Sequence, residues 1–265
     1  MPTPPYEHPL NLTMQTIATI VLWMATALIL AIAIRRAAKE RSALPLLVVL
    51  AVAIGSLIEP LYDIAYHLLW FVPGQWTLFT SFGLPQPVWV MPAYVVVFAA
   101  PTLYVYPKFA ANGSLRDILR YAGLTVVTTA VFETAAINLG LYTYYGPHAF
   151  RLFNYPLWIS VMESAQITGF AVLAAAISKA TQRGASVLSV FVLYPAHFAY
   201  ALLGAGFPAL IAINMSAPST ALVWATTTLS MMCAVTALML ISELLFNAPS
   251  RAAHGTADAV PSLIP

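Results

Sequence analysis

Two carboxylates and an imidazole, Glu59, Asp63 and His67, fall at i, i+4 and i+8 inside an apolar run long enough to cross a membrane. On a helix that spacing puts them on one stripe, with successive groups rising about 6 Å. An ionisable group at bilayer depth costs roughly 2.5–3.5 kcal/mol even on the lenient insertion scale. Three on one face are therefore expected to point into a polar interior. Glu133 and Glu163 lie within two other apolar runs. A carboxyl group in an apolar cavity stays protonated at neutral pH and becomes a water-shielded acid, and a second carboxylate can accept a proton or stabilise a cation. Paired carboxyls whose proton affinities are pushed apart suit general acid–base work. Aromatic walls add cation–π stabilisation. The combination fits protonation of an alkene or epoxide in a lipid-soluble isoprenoid, followed by cyclisation, isomerisation or hydration.

The elements that must position these acids are apolar helices. Of 265 residues, 61% are hydrophobic and 8% charged, where a soluble domain has roughly 25% charged. An all-α, polytopic membrane protein is expected. Seven runs qualify as spans, near 13–35, 44–71, 87–107, 117–141, 156–179, 186–212 and 218–247. They form one seven-helix transmembrane domain over 1–247, with a polar tail over 248–265 expected to be disordered and cytoplasmic. The N-terminal stretch lacks a basic signal-peptide region, so the first run reads as a retained helix. Cys233 is the single cysteine, which leaves no internal disulfide framework and no cysteine-based zinc site.

The charges orient the bundle. Arg35, Arg36, Lys39 and Arg41 follow the first run, Lys108, Arg116 and Arg120 surround the third junction, and Lys179 and Arg183 the fifth. Ten of the eleven basic residues fall on one side of a seven-helix arrangement, Arg151 being the exception. The positive-inside rule then puts the N-terminus outside and the C-terminus in the cytoplasm. With 1.5 Å per residue, Glu59 stands about 24 Å along the second run. Asp63, Glu133 and Glu163 reach a similar depth in the outer half from three helices in all. Glu243 lies near a cytoplasmic end and reads as structural.

Further polar groups share that depth: His67, Asn138, Gln166 and His197 are candidates for orienting substrate or shuttling protons. Pro60 and Pro195 are expected to kink their helices and open room in the bundle. The outer loops are rich in aromatics. Trp70, Trp89, Tyr142, Tyr145 and Trp158 are candidates for substrate contact, against the alternative of an interfacial aromatic belt. Pro73-Gly74 and Gly83-Leu84-Pro85-Gln86-Pro87 make the first of these loops a shaped segment.

In size, topology and intramembrane acids, the chain resembles the small seven-helix integral-membrane terpene cyclases. That family carries an acid beside a Trp in a helix, a pattern that Glu59-Pro60 and Glu133-Thr134 do not reproduce. The stretch from Phe132-Glu133 through Asn138-Leu139-Gly140-Leu141-Tyr142-Thr143-Tyr144-Tyr145-Gly146-Pro147, with Tyr155-Pro156-Leu157-Trp158, looks like the Glu…Gly…Tyr-x-Tyr…Pro-Leu region of bacterial carotenoid hydratases. It covers about a tenth of the chain. Both likenesses imply isoprenoid chemistry in a membrane.

The resulting expectation is a multi-pass membrane enzyme with Glu59 and Asp63 as proton donor and partner, and Glu133 and Glu163 next in line. Its partners are a lipophilic small molecule and membrane lipids. No nucleic acid, cofactor or metal is expected. Three alternatives stand beside it. A proton-coupled transporter or seven-helix receptor uses buried acids too, although no inverted repeat is visible and the seventh run, 218–247, lacks a lysine for a retinal Schiff base. A di-iron enzyme is a second alternative, although no Glu-x-x-His pair is present. The third is a bundle in which the acids only lock the packing.

Overall fold

A computed structural model describes residues 3–180 and 188–246. The tail proposed from 248 onward, Arg183 and the start of the sixth run lie outside these residues. Seven helical rods run back and forth: α1 (Leu12–Glu40); α2 (Leu44–Gly55) with α3 (Glu59–Tyr66); α4 (Val90–Tyr94) with α5 (Ala100–Asn112); α6 (Leu115–Asn138); α7 (Trp158–Ala180); α8 (Val190–Phe198) with α9 (Phe207–Ile213); and α10 (Thr220–Phe246). Five rods are long and apolar enough to cross a membrane, six if the bent α8–α9 pair is one span. The chain is therefore a mainly helical, multi-pass membrane protein. The sequence expectation of seven spans includes α6, which has 24 residues but is not among the five.

α7 is the central rod: 83% of its most apolar window is buried, against 11% for α1, which lies at the rim. Small residues and hydroxyls let α6 close on α7. Thr125 Oγ1 lies 2.7 Å from Ser164 Oγ, and Ser164 donates to the Ala122 carbonyl at 2.6 Å. Capping follows the sequence. Asn11 Oδ1 accepts from the Met14 amide at 3.2 Å, and Ser114 Oγ from the Asp117 amide at 3.1 Å, each satisfying an otherwise unpaired first-turn donor.

Three rods are broken, and the breaks shape the interior. Between α2 and α3 lies one 3-10 turn, Ser56–Ile58. Pro60 has no N–H to give the Ser56 carbonyl, which accepts instead from the Glu59 amide. Between α4 and α5, residues Val95–Ala99 widen into a π-helical turn just before Pro101. A second π segment, Ala199–Gly204, follows α8. There α8 runs through Pro195, and a 56° bend lies between Gly204 and Phe207, about two and a half turns further on. Side-chain hydroxyls hold the bend, the Gly206 carbonyl also accepting from the Leu210 amide at 3.1 Å. Tyr66 donates to Leu202 O at 2.6 Å and Ser230 to Gly206 O at 3.1 Å. A Cβ on Gly206 would collide with the Leu202 carbonyl, so the bend needs glycine there.

The all-α expectation also omits three short antiparallel pairs at the end opposite most of the basic residues. β1 (Leu68–Trp70) pairs with β4 (Tyr142–Tyr144), β2 (Thr77–Ser81) with β3 (Leu84–Pro87), and β5 (Arg151–Leu152) with β6 (Tyr155–Pro156). The second run therefore ends at Tyr66, not 71. His67 takes a left-handed conformation (φ 54°) and turns the chain into β1. Phe82-Gly83 and Phe153-Asn154, all at positive φ, make the tight turns of the other two pairs. Gln15 docks the first hairpin loop onto α1, accepting from the Trp76 amide at 2.8 Å and donating to Gly74 O at 3.1 Å.

Candidate active site

The breaks and the β1–β4 pair enclose a small cavity of about 40 Å³, room for a few water molecules. Glu59, Glu133 and Glu163 face it from α3, α6 and α7. The remaining wall is aromatic or aliphatic, including Trp70, Trp89, Phe98, Phe132 and Phe198. Both π turns abut it, through Val97 and Phe98 and through Leu202. Such turns displace side chains from regular helical register and recur at functional sites.

Each glutamate has a tyrosine. Tyr94 donates to Glu59 Oε2 in a short hydrogen bond. Tyr144 donates to Glu133 Oε2 at 3.3 Å, and Tyr142 also reaches Glu133. Tyr155 lies 3.5 Å from Glu163 Oε2 and 2.9 Å from Ser160 Oγ. Tyr62 joins the set, its hydroxyl 3.3 Å from that of Tyr144. Burial, with the nearby Glu133 and Glu163, pushes the hydroxyls of Tyr142 and Tyr144 well above the usual phenol range. Burial, with Glu163 and Glu133, does the same to Tyr155. These groups therefore stay protonated and act as donors at ordinary pH. The arrangement can hold a carboxylate, orient a carboxylic acid, and pass a proton over a short distance.

Asp63 stands behind this cavity. It is 1% exposed, and its Oδ2 accepts from Gln86 Nε2 at 2.6 Å and Trp70 Nε1 at 3.1 Å, while Oδ1 has no hydrogen bond. It borders a separate recess of about 300 Å³ at the hairpin end, and Leu68 and Trp70 line both spaces. Asp63 is thus beside Glu59 but in the partition between two cavities.

The other expected site residues divide. Trp70, Trp89 and Tyr142 are in the cavity wall. His67 is not on the helical stripe: it caps α3, its Nε2 is 3.0 Å from Asn214 Oδ1, and its ring stacks on Tyr145 at 4.9 Å. Both belong to the hairpin end. Asn138 is exposed and latches the β5–β6 turn, donating to Phe153 O at 2.8 Å. Trp158 is fully buried between Tyr66 and His148, outside the cavity. Gln166 is fully buried with neither amide atom hydrogen-bonded. His197 borders a small apolar space lined by α7, α8 and α10, including Ala165, Ala234 and Leu238. Asn138, Gln166 and His197 do not line the glutamate cavity.

Sequence reasoning missed Tyr62, Tyr94, Tyr144, Tyr155 and Gln86. Tyr62 is three residues from Glu59, hence on its face, and Tyr142 and Tyr144 alternate as one face of a strand requires. Those two signals were readable. The pairing of Tyr94 with Glu59 across 35 residues was not. Around the site, Arg151 clamps the hairpin end, its Nη2 donating to Tyr144 O at 2.9 Å and Gly146 O at 3.2 Å. His148 has no hydrogen bond to either ring nitrogen. Burial, reinforced by Arg151 and His67, pushes its imidazole down to about 3, so it is neutral. Among the described residues no three His, Cys, Asp or Glu side chains are grouped to hold a metal ion.

Comparison with protein-family models, with curated proteins and with solved structures finds no match.

Proposed function

We propose that the protein is a membrane-embedded acid–base enzyme acting on a lipophilic, isoprenoid-like substrate. The observation that carries this reading is the cavity itself: three glutamates from three helices, each with a tyrosine donor, in an otherwise aromatic and aliphatic wall. The likeness to seven-helix terpene cyclases and carotenoid hydratases supports it further. The stretch that looks like the hydratases supplies Glu133, Tyr142, Tyr144 and Tyr155, all at or beside the cavity.

In this reading the O–H of Glu59, oriented by Tyr94, adds its proton to a terminal alkene or epoxide. The electron pair of that bond forms the new C–H or O–H bond and leaves a tertiary cation. Aromatic faces stabilise the cation. A neighbouring alkene closes a ring on it, or water adds. A carboxylate, Glu133 or Glu163, takes up the proton finally lost, so the product is an isomer or a hydrate of the substrate. Asp63, in the partition behind Glu59, is its proton-exchange partner. The rods cross the membrane seven times, with the hairpin end outside and most of the basic end in the cytoplasm.

The test is lipid extraction and mass spectrometry of cells supplied with prenyl precursors, expressing the protein or its Glu59→Gln, Asp63→Asn double variant. A terpenoid present only with intact acids supports the enzyme. Identical lipids in both would sink it and favour proton-coupled transport. For topology, Thr80→Cys in the exposed hairpin should react with an impermeant maleimide in intact cells. Asn112→Cys should react only after permeabilisation; the reverse pattern inverts the orientation.

A further inference from the structure

A lipophilic substrate must reach a cavity closed by helices and hairpins, and one side of the bundle offers a way in. Between α1 and α6 lies a cleft of about 260 Å³. One wall is a stripe of α1, Met14 to Leu22, at spacings of three and four. The other is a stripe of α6, Val131 to Leu139, at the same spacings. These are the faces two helices would use to pack on each other; here they stand apart. Every lining side chain is apolar. The outward rim is well exposed on both helices, with Val21 at 56% and Val131 at 65%, so in a bilayer the cleft opens on acyl chains.

The inner end of the cleft is the decisive feature. Trp89 and Phe132 line the cleft and also line the carboxyl cavity. Trp89 and Phe132 are thus the two side chains common to the lipid-facing cleft and the glutamate cavity. Phe132 is adjacent in sequence to Glu133, so movement of that part of α6 shifts gate and acid together. The recess at the hairpin end shares Leu68 and Trp70 with the same cavity, but it has Asp63 in its wall. An aliphatic chain partitions into an all-apolar cleft in preference to that recess.

We infer that the α1–α6 cleft is the membrane-side entrance for an isoprenoid chain, which passes between Trp89 and Phe132 to the glutamates. This rests on the proposed isoprenoid reading of the cavity. The entrance takes a flexible hydrocarbon of prenyl type from the bilayer, with its reactive end leading. It requires no opening of the hairpin end.

The experiment is photo-crosslinking of the full chain in phosphatidylcholine vesicles with a diazirine-tagged geranylgeraniol, mapped by peptide mass spectrometry. Expected is labelling of the α1 stripe, the α6 stripe and Phe98 or Phe198 in the cavity, all suppressed by excess untagged geranylgeraniol. Ala18→Phe with Ala135→Phe fills the cleft from both walls. It should cut cavity labelling about tenfold, equivalent to about 1.4 kcal/mol. Val127→Phe, on exposed α6 surface outside the cleft, should leave it unchanged. Cavity labelling that persists undiminished in the filled variant overturns the entrance while leaving the isoprenoid reading intact. Cleft labelling in the unaltered protein that untagged alcohol does not compete also overturns it, since the cleft then holds ordinary bilayer lipid. Absence of label from the cavity of the unaltered protein overturns both. Melting temperature is recorded for each variant; if the filled variant does not fold, competition on the unaltered protein decides.

Discussion

Two buried polar regions of this molecule look alike in the sequence and differ in the fold. In the first, Glu59, Glu133 and Glu163 each meet a tyrosine hydroxyl and share an open cavity. In the second, Gln166 and His197 sit at comparable depth, but the Gln166 amide and His197 Nε2 meet no hydrogen-bond partner among the described residues. His197 is pressed against Gly169, where a Cβ would overlap its ring. The first region has a tyrosine donor for each acid and the larger space, about 40 Å³ against about 10 Å³. The second has no side-chain donor among the described residues, and its space is lined by alanines with Tyr200, Leu238 and Ile241. A polar side chain at bilayer depth is a functional candidate by default. This comparison shows that depth becomes a site only where partners and volume come with it.

The sharpest way to break the comparison is to remove a proton from each region. Glu59→Gln keeps size and hydrogen bonding and removes the acid. Product formation should fall by about 10²–10⁴-fold, the usual contribution of a positioned acid, with the melting temperature within a few degrees of the parent, as is usual for a near-isosteric change of about 0.5 kcal/mol. Unchanged turnover would take Glu59 out of the mechanism, and loss of folded protein would make it structural. Tyr94→Phe removes the donor that orients Glu59. As Glu59 gives up its proton, the Tyr94 hydroxyl holds the carboxylate that forms, and a hydrogen bond to a charged group contributes about 1.5–3 kcal/mol, so turnover should drop by about 10- to 100-fold while binding of a substrate analogue holds. A drop confined to binding would reassign Tyr94 to substrate contact.

In the second region the effects should be on stability alone. Gly169→Ala drives a methyl group into the His197 ring, an overpacking that costs about 1–3 kcal/mol. Turnover per folded molecule should stay at the parental value; a fall would bring His197 back into the site. Gln166→Met replaces two unpaired polar atoms with an apolar chain of similar shape and should leave stability unchanged or raise it by about 1 kcal/mol. Destabilisation there would mean that the amide has a partner the described residues do not provide.

The hairpin end gives a pH test. The folded-state value of His148 is pushed from 6.5 down to about 3. Between those values the unfolded chain binds a proton that the folded chain does not, so stability falls as pH drops from 6.5 towards 3 and levels off below. His148→Asn should flatten that acid-side slope in denaturation followed from pH 7 to 4, a window inside the about 3.5-unit gap that sets the linkage. An unaltered slope would place the titrating group elsewhere.

The helices were largely legible because apolar runs and the spacing of basic residues are local signals. So was the choice of Glu59, Glu133 and Glu163, since a carboxylate inside such a run is conspicuous. Three things were not. His67 left the Glu59 stripe because the chain turns at a left-handed residue, which no periodicity announces. Asp63 fell behind the cavity, in the wall of the recess, where Gln86 and Trp70 from later segments hold it. The tyrosine partners come from distant segments, Tyr94 across 35 residues and Tyr155 from a hairpin, and only the packing joins them to their glutamates. The 56° bend of the sixth run lies after the π segment, between Gly204 and Phe207, nine residues beyond Pro195.

The central claim is that these tyrosine-held carboxyls do chemistry on a prenyl chain. It is tested most directly with purified protein in vesicles, incubated with a panel of linear prenyl alkenes and their terminal epoxides, with Glu59→Gln in parallel. A product isomeric with one substrate, or heavier by one water, formed by the parent and not by the variant, is the expected result. Recovery of every substrate unchanged by the parent, or equal conversion by both proteins, would contradict it.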